Sequence, residues 1–459
     1  MVTRVCLLAL AAALAFSAPQ VRAQDLTEAM ATAYNSNPSL LAQRSRLRQT
    51  DEGVSQALSG WRPRLTNTTS TAITRSRSET TSSTSQGTIN PTATTLTLTQ
   101  PVYRGGRTVA ATRQAEFSVF AERARTVQTE QSTLFDVATA YLNVLRDQSI
   151  LQLRINNEQR LERQLEATQD RFRVGEVTRT DVAQASARLS QAKADRVRAE
   201  GNLQTSREQY RDAVGVYPGS LRIPEKNPLP LPQTSDELQA QMLANNPNII
   251  AAQFDVQAAE QAVKVIQGEL LPEASLQGQL NYQDEPSTTT RESRSASLIG
   301  SVSIPLYEAG AVYSRVRAAR HAVNQRRAQL DDVTREALQA GASAFEDVAA
   351  NRARMDSLRA AIEANQIALE GVEQEAAVGS RTVLDVLDAE QTLLDSQVNL
   401  VTAVRDELVA TFRVYAAIGQ LTALQLGLPV EIYDVEGPYQ QTRGKWWGSG
   451  IESEYPTNK

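Results

Sequence analysis

The two halves of this 459-residue chain repeat one another. Gly175 and Asp181 recur as Gly379 and Asp385, so matching residues lie 204 positions apart (379 − 175). Further pairs at the same separation are Val174 and Val378, Pro101 and Pro305, Tyr103 and Tyr307, and Gly106 and Gly310. A repeat of this length indicates that the chain consists of two copies of one structural unit.

Each copy carries the same predicted series of elements: a helix, two strands, a long helix and a shorter helix. Residues 107–174 contain neither proline nor glycine, and apolar side chains recur there with heptad-like spacing. A helix of that extent is about 100 Å long, which no compact globular domain contains. The predicted helices lie at about 38–59, 106–174 and 181–214, and at about 247–269, 310–377 and 385–418. The predicted strands lie at about 64–78 and 92–102, and at about 273–283 and 295–305.

The strands of the second copy alternate apolar and polar side chains. Leu276, Leu280 and Tyr282 fall on one face of the first strand, and Gln277 and Gln279 fall on the other. Segments of about ten residues with one apolar face are typical of membrane-spanning strands. Ser- and Thr-rich segments are also typical of disordered linkers, and that alternative stays open for either pair of strands taken alone. Four such segments at matching places favour the membrane.

Aromatic residues lie near the ends of these strands, where the aromatic belt of a membrane barrel is found: Trp61, Tyr103, Tyr282 and Tyr307. A closed barrel needs about eight strands, because an open edge leaves backbone groups unpaired in lipid. Four strands per chain therefore predict an oligomer, without fixing its size. The predicted fold class is an α+β membrane protein. In it, a long coiled-coil-like helical barrel joins a transmembrane β-barrel that several chains share.

The ends and the middle of the chain differ in composition from the two copies. The predicted organisation is a signal peptide at 1–23, a first repeat at 24–217, a Pro-rich linker at 218–235, a second repeat at 236–425 and a tail at 426–459. Arg4 precedes an apolar run at 5–16, which is too short to span a bilayer and has the layout of a secretory signal. After it there is no uninterrupted apolar run of about 18 residues, so membrane contact is predicted through strands.

Residues with distinctive chemistry are scarce. The chain has one cysteine, Cys6, inside the predicted signal, and one histidine, His321. These cannot form a His/Cys zinc site or a Ser-His-Asp triad within one chain, and no Gly-x-x-x-x-Gly-Lys loop is present. The net charge of −5 argues against nucleic-acid binding. We therefore predict a protein that is not an enzyme and that needs no metal or cofactor.

With the duplication in place, the segments 174–182 (Val-Gly…Thr-Asp-Val) and 378–388 (Val-Gly-Ser-Arg-Thr-Val-Leu-Asp-Val-Leu-Asp) resemble the TolC family of outer-membrane efflux ducts. The resemblance covers essentially the whole chain after the signal. It implies a homotrimer whose barrel crosses the outer-membrane lipid and whose helices form a tunnel through the periplasm. It also implies two kinds of partner, a periplasmic adaptor protein and an inner-membrane transporter that is either ABC-type or proton-driven.

In that family the helix junction after each Val-Gly pair lies at the periplasmic mouth, where the tunnel is closed. The resemblance implies four junction residues: Val174, Gly175, Val378 and Gly379. It implies a gate arginine, Arg381, held by Asp181. It further implies two acidic rings facing the pore, Asp385 and Asp388. Ala376 and Ala377 stand where the family has an aromatic residue. The alternative for the four charged residues is a solvated helix face.

The tail, with Tyr433-Asp434 and the Lys-Trp-Trp-Gly segment 445–448, resembles that of the branch serving type I protein secretion. Protein secretion is therefore favoured over drug or metal efflux as the task of the duct. The alternative function is a secreted coiled-coil structural or surface protein. A periplasmic adaptor is a third possibility, although adaptors have a single hairpin and lack this duplication. The sequence leaves the cargo and the transporter class open.

Overall fold

The computed structural model describes residues 25–223, 229–287 and 290–451. The predicted signal at 1–23, with Arg4 and Cys6, lies outside these residues. Within the described ranges, no helix combines the length and the apolar character needed to cross a membrane. The chain divides into two compact units, and both copies of the repeat contribute to each of them.

The two compact units are interleaved along the chain. We call the first the junction unit; it contains Asp136–Pro228, Asn351–Val409 and the described residues up to Asn35. The second, the sheet unit, contains Ser36–Phe135, Leu229–Ala350 and the described residues from Ala410 onward. Neither unit corresponds to one copy of the repeat, so each unit depends on contacts between the two copies.

Helices make up most of the described chain. They are α1 (Leu26–Ser36), α2 (Pro38–Leu58), α3 (Arg107–Arg173), α4 (Arg179–Val214), α5 (Ser235–Asn245), α6 (Pro247–Gln267), α7 (Ala311–Ala377), α8 (Val383–Ala417) and α9 (Gly437–Gly444). Helices α3 and α7 have 67 residues each, which corresponds to about 100 Å. Asn37 and Asn246 cap α2 and α6 through side-chain oxygens that accept backbone N–H groups, and a proline follows each of them.

Each copy begins with a short helix that the sequence analysis did not predict. Helices α1 and α5 have 11 residues each and start 209 residues apart (235 − 26). A helix of this length is marginal on its own, so packing must stabilise it. Met30 and Tyr34 of α1, and Leu238 and Met242 of α5, are all at most 2% exposed. Their burial depends on distant residues, which a short local pattern does not reveal.

The strands are β1 (Arg64–Thr71), β2 (Thr74–Thr80), β3 (Ser83–Ile89), β4 (Thr92–Arg104), β5 (Glu273–Asp284) and β6 (Glu292–Ser303). Four of them form an antiparallel sheet in the order β1-β4-β5-β6. Strand β4 of the first copy pairs with β5 of the second copy along almost its whole length. The sheet therefore joins the two copies through backbone hydrogen bonds.

The structure corrects the prediction of a single strand over 64–78. Strand β1 ends at Thr71, and β2 pairs with β3 in a separate two-stranded sheet. At the break, the backbone N–H of Ala72 donates to the carbonyl of Pro91 at 3.0 Å. Proline has no N–H to continue a ladder, so Pro91 interrupts the pairing from the partner side. The residues of 64–78 contain neither glycine nor proline, so nothing within the predicted strand indicates the break.

Backbone and side-chain contacts fix the two sides of the Pro-rich linker. The Tyr141 hydroxyl donates to the Arg222 carbonyl at 2.7 Å and accepts from the Arg222 N–H at 3.0 Å. On the other side, the Tyr415 hydroxyl donates to the Leu229 carbonyl. Both tyrosine side chains are fully buried. Each end of the described linker is therefore fastened to a helix of its own unit, α3 on one side and α8 on the other.

Candidate functional site

The long helices end at two glycines in the same way. Gly175 follows α3 with φ of 83°, and Gly379 follows α7 with φ of 80°. In both copies the residue after the glycine donates its backbone N–H to the carbonyl five residues back, at 2.9 Å. These are the bonds of a Schellman motif, which requires a left-handed residue and favours glycine. Val174 and Val378, which precede the glycines, are 73% and 81% exposed. All four predicted junction residues therefore lie where helices end.

The shorter helices α4 and α8 begin with matching capping boxes. Asp181 Oδ2 accepts the backbone N–H of Thr178 at 2.8 Å, and Asp385 Oδ2 accepts that of Thr382 at 2.9 Å. In return, each threonine hydroxyl accepts the aspartate N–H at 3.3 Å. This reciprocal pattern satisfies two otherwise unpaired donors at a helix start. The two aspartates thus position the junctions as well as carrying charge there.

The capping interactions also affect the acidity of Asp385. The backbone N–H of Thr382 lowers the pKa of the Asp385 carboxyl, and the Thr382 hydroxyl and the Arg381 charge act in the same direction. The Asp385 side chain is partly exposed. It therefore stays negatively charged well into the acidic range.

Arg381 lies in the junction of the second copy, between Gly379 and Asp385. Its Nε donates to Glu375 Oε2 at 2.8 Å, and both side chains are about half exposed. Within the described part of a single chain, the structure does not bring Arg381 and Asp181 together. The predicted pairing of those two residues stays a prediction for the assembled oligomer.

Asp388 forms an ion pair that the sequence analysis missed. Arg188 Nη2 donates to Asp388 Oδ1 at 2.5 Å, which joins α4 of the first copy to α8 of the second. Arg188 lies seven residues after Asp181, hence on the same helix face. That spacing was the available signal, although it does not by itself identify the partner.

Apolar side chains pack the four junction helices beneath these charges. Leu161 of α3, Leu189 of α4 and Leu387 of α8 belong to one buried cluster. Leu369 of α7 and Leu393 of α8 belong to another. Helix α8 therefore packs against α3 and α4 with one set of residues and against α7 with another.

A buried carboxyl lies one to two turns beyond Asp385. Glu390 of α8 is 6% exposed, and its Oε2 atom has no hydrogen-bond partner among the described residues. Burial raises the pKa of Glu390, while the Arg160 charge lowers it and the Glu373 charge raises it further. Sequence reasoning also missed this residue, because no motif distinguishes it from the exposed carboxylates around it.

The four-stranded sheet has one exposed apolar face. The register places apolar residues opposite one another, with Leu65 against Leu98 and Leu96 against Leu280. Exposed apolar side chains on these strands include Leu65, Leu96, Leu98, Leu276, Leu280, Leu298 and Val302. The other face is polar, as shown by the Thr95 hydroxyl donating to Asn281 Oδ1 at 3.0 Å. A sheet with this division has an apolar surface that the described chain leaves uncovered.

The predicted belt residues lie at the two ends of this face. Tyr103 is paired with Ala274, and Tyr282 with Thr94, so the two tyrosines are eight residues apart along β5 (282 − 274). At about 3.4 Å per residue, that separation is about 27 Å. An apolar band of about 25 Å flanked by aromatic residues is typical of membrane barrels. Trp61 and Tyr307 lie at the Tyr103 end, where the helices adjoin the strands, and all four belt residues are exposed.

Within the described chain, no cluster of three or more His, Cys, Asp or Glu side chains could hold a metal ion. The described residues provide a charged helix junction and an exposed apolar sheet face. The arrangement therefore combines an exposed apolar surface with a junction that carries ion pairs.

Comparisons with known proteins agree with this geometry. A family model described as "Outer membrane efflux protein" matches residues 29–216 and 238–420. Outer membrane efflux protein BepC of Brucella suis is 35% identical over 426 residues, covering 93% of this chain and 92% of BepC. Outer membrane protein TolC of Escherichia coli is 28% identical over 352 residues, covering 73% and 71%. The crystal structure of VceC from Vibrio cholerae superposes with a TM-score of 0.75 at 20% identity, covering 86% of this chain and 96% of VceC.

Proposed function

Because the chain belongs to the outer membrane efflux protein family, we propose that three copies of it assemble into one export duct across the outer membrane. The family consists of outer-membrane channels and not of enzymes, so the predicted fold class, location and absence of catalysis are confirmed. The observation that carries the proposal is the exposed apolar face of the β1-β4-β5-β6 sheet, bounded by tyrosines about 27 Å apart.

The sheet of one chain cannot stand in lipid alone. Strands β1 and β6 are its edges, and each leaves a row of backbone N–H and C=O groups without strand partners. In hydrocarbon such groups are costly, and closed barrels of at least about eight strands remove them. Three chains supply twelve strands, and pairing β6 of one chain with β1 of the next closes the ring. The alternative function, a coiled-coil surface fibre, does not explain why the sheet has an exposed apolar face.

We place the gate of the duct at the helix junctions. Asp385 and Asp388 are three residues apart, hence on one face of α8. In a trimer each residue forms a ring of three carboxylates, which favours cations in the pore. The ion pair of Arg188 with Asp388 and that of Arg381 with Glu375 hold the junctions of one chain in place. Asp181 lies on the equivalent turn of the first copy, and in the oligomer it is the partner that holds Arg381.

The duct works as part of an export system, with adaptor and transporter partners that supply the energy. The chain has no phosphate-binding Gly-x-x-x-x-Gly-Lys loop of its own. Type I protein secretion is the export task that the tail favours, with an ABC-type transporter as partner. Small-molecule efflux with a proton-driven transporter is the second candidate, and the name of BepC favours it.

Planar-bilayer recording tests the duct. Protein extracted from outer membranes with detergent should insert into the bilayer and give stepwise, cation-selective currents. Replacing Asp385 and Asp388 together by asparagine should reduce cation selectivity without preventing insertion, because neither residue contributes to the apolar face. Protein that inserts but carries no current would refute the duct, and unchanged selectivity in the double variant would refute the acidic rings.

A further inference from the structure

The chain after α8 is fastened along helices α2 and α3 of the sheet unit. The Tyr433 ring lies 4.7 Å from the Arg44 guanidinium and 4.9 Å from that of Arg48, as cation–π pairs. Tyr439 of α9 is 5% exposed and packs in a core with Leu47 and Val119. The tail therefore follows a defined path as far as the end of α9.

Arg62 holds the next residues of the tail at the boundary between helix and sheet. Its Nη1 donates to the Lys445 carbonyl at 2.9 Å, and its guanidinium lies 5.0 Å from the Trp446 ring. Ser55 of α2 also donates to the Lys445 carbonyl, at 3.3 Å. Arg62 directly follows Trp61 and is two residues before β1 begins. The tail thus reaches the end of the sheet at which Trp61 and Tyr103 lie.

Two neighbouring tryptophans project from this point. Trp446 is 59% exposed and Trp447 is 86% exposed, although a tryptophan is among the largest apolar side chains. Basic residues adjoin them: Arg62 lies against the Trp446 ring, and Lys445 directly precedes Trp446. Tryptophan is enriched at membrane–water interfaces, where its ring lies at the headgroup level, and basic side chains are attracted to anionic lipid.

We propose that Trp446 and Trp447, fixed by Arg62, form a lipid-binding foot. In it, both indole rings lie among the phospholipid headgroups on the periplasmic side of the outer membrane. The foot is continuous with the belt residues Trp61 and Tyr103, and its basic charge complements lipid phosphate. It lies outside the barrel strands and anchors the tail to the membrane surface. The inference rests on the proposed membrane position of the sheet.

Fluorescence quenching separates this inference from the proposed function, because the chain has three tryptophans. One variant, Trp61→Phe, retains only the two tryptophans of the foot. A second variant, Trp446→Phe with Trp447→Phe, retains only Trp61 of the belt. Both are reconstituted into phosphatidylethanolamine–phosphatidylglycerol vesicles, and flotation selects the membrane-bound protein. The vesicles carry a nitroxide either at the headgroup or at the end of the acyl chain.

If the foot lies among the headgroups, the headgroup nitroxide should quench most of the emission of the Trp61→Phe protein. The acyl-chain nitroxide should quench much less of it. Acrylamide in the water should quench it only weakly. Full quenching by acrylamide with no effect of the headgroup nitroxide would overturn the inference. If the Trp61-only protein is still quenched at the headgroup, the membrane position of the sheet stands and only the foot fails. If neither protein is quenched by lipid, the proposed membrane position fails as well.

Replacing Arg62 by glutamine provides a matched check in the Trp61→Phe background. The change removes the charge that faces the Trp446 ring and weakens the bond to the Lys445 carbonyl. The foot predicts a smaller headgroup quenching with greater access for acrylamide, because the tail is no longer held at the boundary. Quenching identical to that of the parent would contradict the role of Arg62 in placing the tryptophans.

Discussion

Arg188 Nη2 and Asp388 Oδ1 lie 2.5 Å apart, in helices that come from the two different copies of the repeat. The pair lies in the junction unit, whose helices end at Gly175 and Gly379 in left-handed turns. It links α4 to α8 directly, so separation of these two helices must break the ion pair. In the proposed duct, an ion pair between these two helices is suited to hold a closed state.

Loss of the Arg188 charge should favour the open duct. Both side chains are about half exposed, so the pair contributes about 0.2–1 kcal/mol. Arg188→Gln should then raise the open-to-closed ratio by about 1.4- to 5-fold in single-channel recordings. Exchanging the charges, with Arg188→Asp and Asp388→Arg together, should restore the original ratio. A ratio that Arg188→Gln leaves unchanged would show that the pair does not restrain the junction.

Arg381→Ala should raise single-channel conductance. The change releases Glu375 and removes the positive charge proposed to be held by Asp181 in the oligomer. Glu375→Gln is the matched control, because it breaks only the pair within one chain. If both variants conduct alike, the pair with Glu375 is the restraint. A larger effect of Arg381→Ala would support the pairing with Asp181, and wild-type conductance in both would exclude Arg381 from the gate.

Replacing Gly175, at the end of α3, should destabilise the protein, whereas replacing a glycine inside a helix should not. Gly175→Ala forces alanine to a φ of 83°, which costs about 1–2 kcal/mol. Gly201, inside α4 with open space around its Cα, is the control, and Gly201→Ala should stabilise by about 0.5–1 kcal/mol. Denaturant unfolding of detergent-solubilised protein gives the sign of each variant's change in the free energy of unfolding. Two changes of the same sign would contradict the left-handed turn.

The capping box at α8 should make stability depend on acidity. The pKa of Asp385 is lowered from its ordinary 3.8, so its stabilising contribution is complete at neutral pH and is lost as the pH falls through the lower folded value. Asp385→Asn should therefore destabilise at neutral pH, and the difference from wild type should shrink below about pH 3.8. Helix content measured by circular dichroism against pH and denaturant tests this.

Thr382 provides a second test of the same box. Thr382→Ala removes the hydroxyl that accepts the Asp385 N–H, at a cost of about 1 kcal/mol. Thr382→Ser retains a hydroxyl at the same position and should remain close to wild type. Equal unfolding free energies for the alanine and serine variants would mean that the cap contributes nothing measurable.

Truncating Tyr439 should release the tail. The side chain fills a core with Leu47, Val54 and Val119, so Tyr439→Ala should cost about 3–5 kcal/mol of tail docking. Its hydroxyl only accepts a long bond from Arg443 at 3.4 Å, so Tyr439→Phe should be mild. Limited trypsin digestion should show faster cleavage after Arg443 and Lys445 in the alanine variant than in the phenylalanine variant. Equal cleavage of both variants would contradict the docked tail.

Much of the fold could be predicted because the decisive signals are local. Gly175 and Gly379 end helices through their own backbone conformation, and Thr178 and Thr382 begin the next ones three residues before an aspartate. The alternation at Leu276 and Leu280 likewise lies within one strand. A single sequence contains such signals, and most of them occur in both copies of the repeat. The resemblance to the TolC family drew on the same segments.

The remaining features depend on residues that are distant in the chain. Helices α1 and α5 are too short to form alone, and they exist because distant residues bury them. The partner of Asp388 is Arg188, 200 residues earlier, and only the relative rotation of two helices selects it. Glu390 differs from the other carboxylates in its burial, which raises its pKa and depends on residues elsewhere in the chain. The break after Thr71 depends on Pro91, on the neighbouring strand segment.

The most direct test of the duct is the number of chains in the detergent-extracted complex, determined by native mass spectrometry together with its image by electron microscopy. We expect three chains that form a long narrow cylinder below a detergent belt, with the twelve strands inside the belt. A monomer that stays in solution without detergent, or an open-ended fibre, would contradict the duct and would mean that the apolar face of the sheet does not meet lipid.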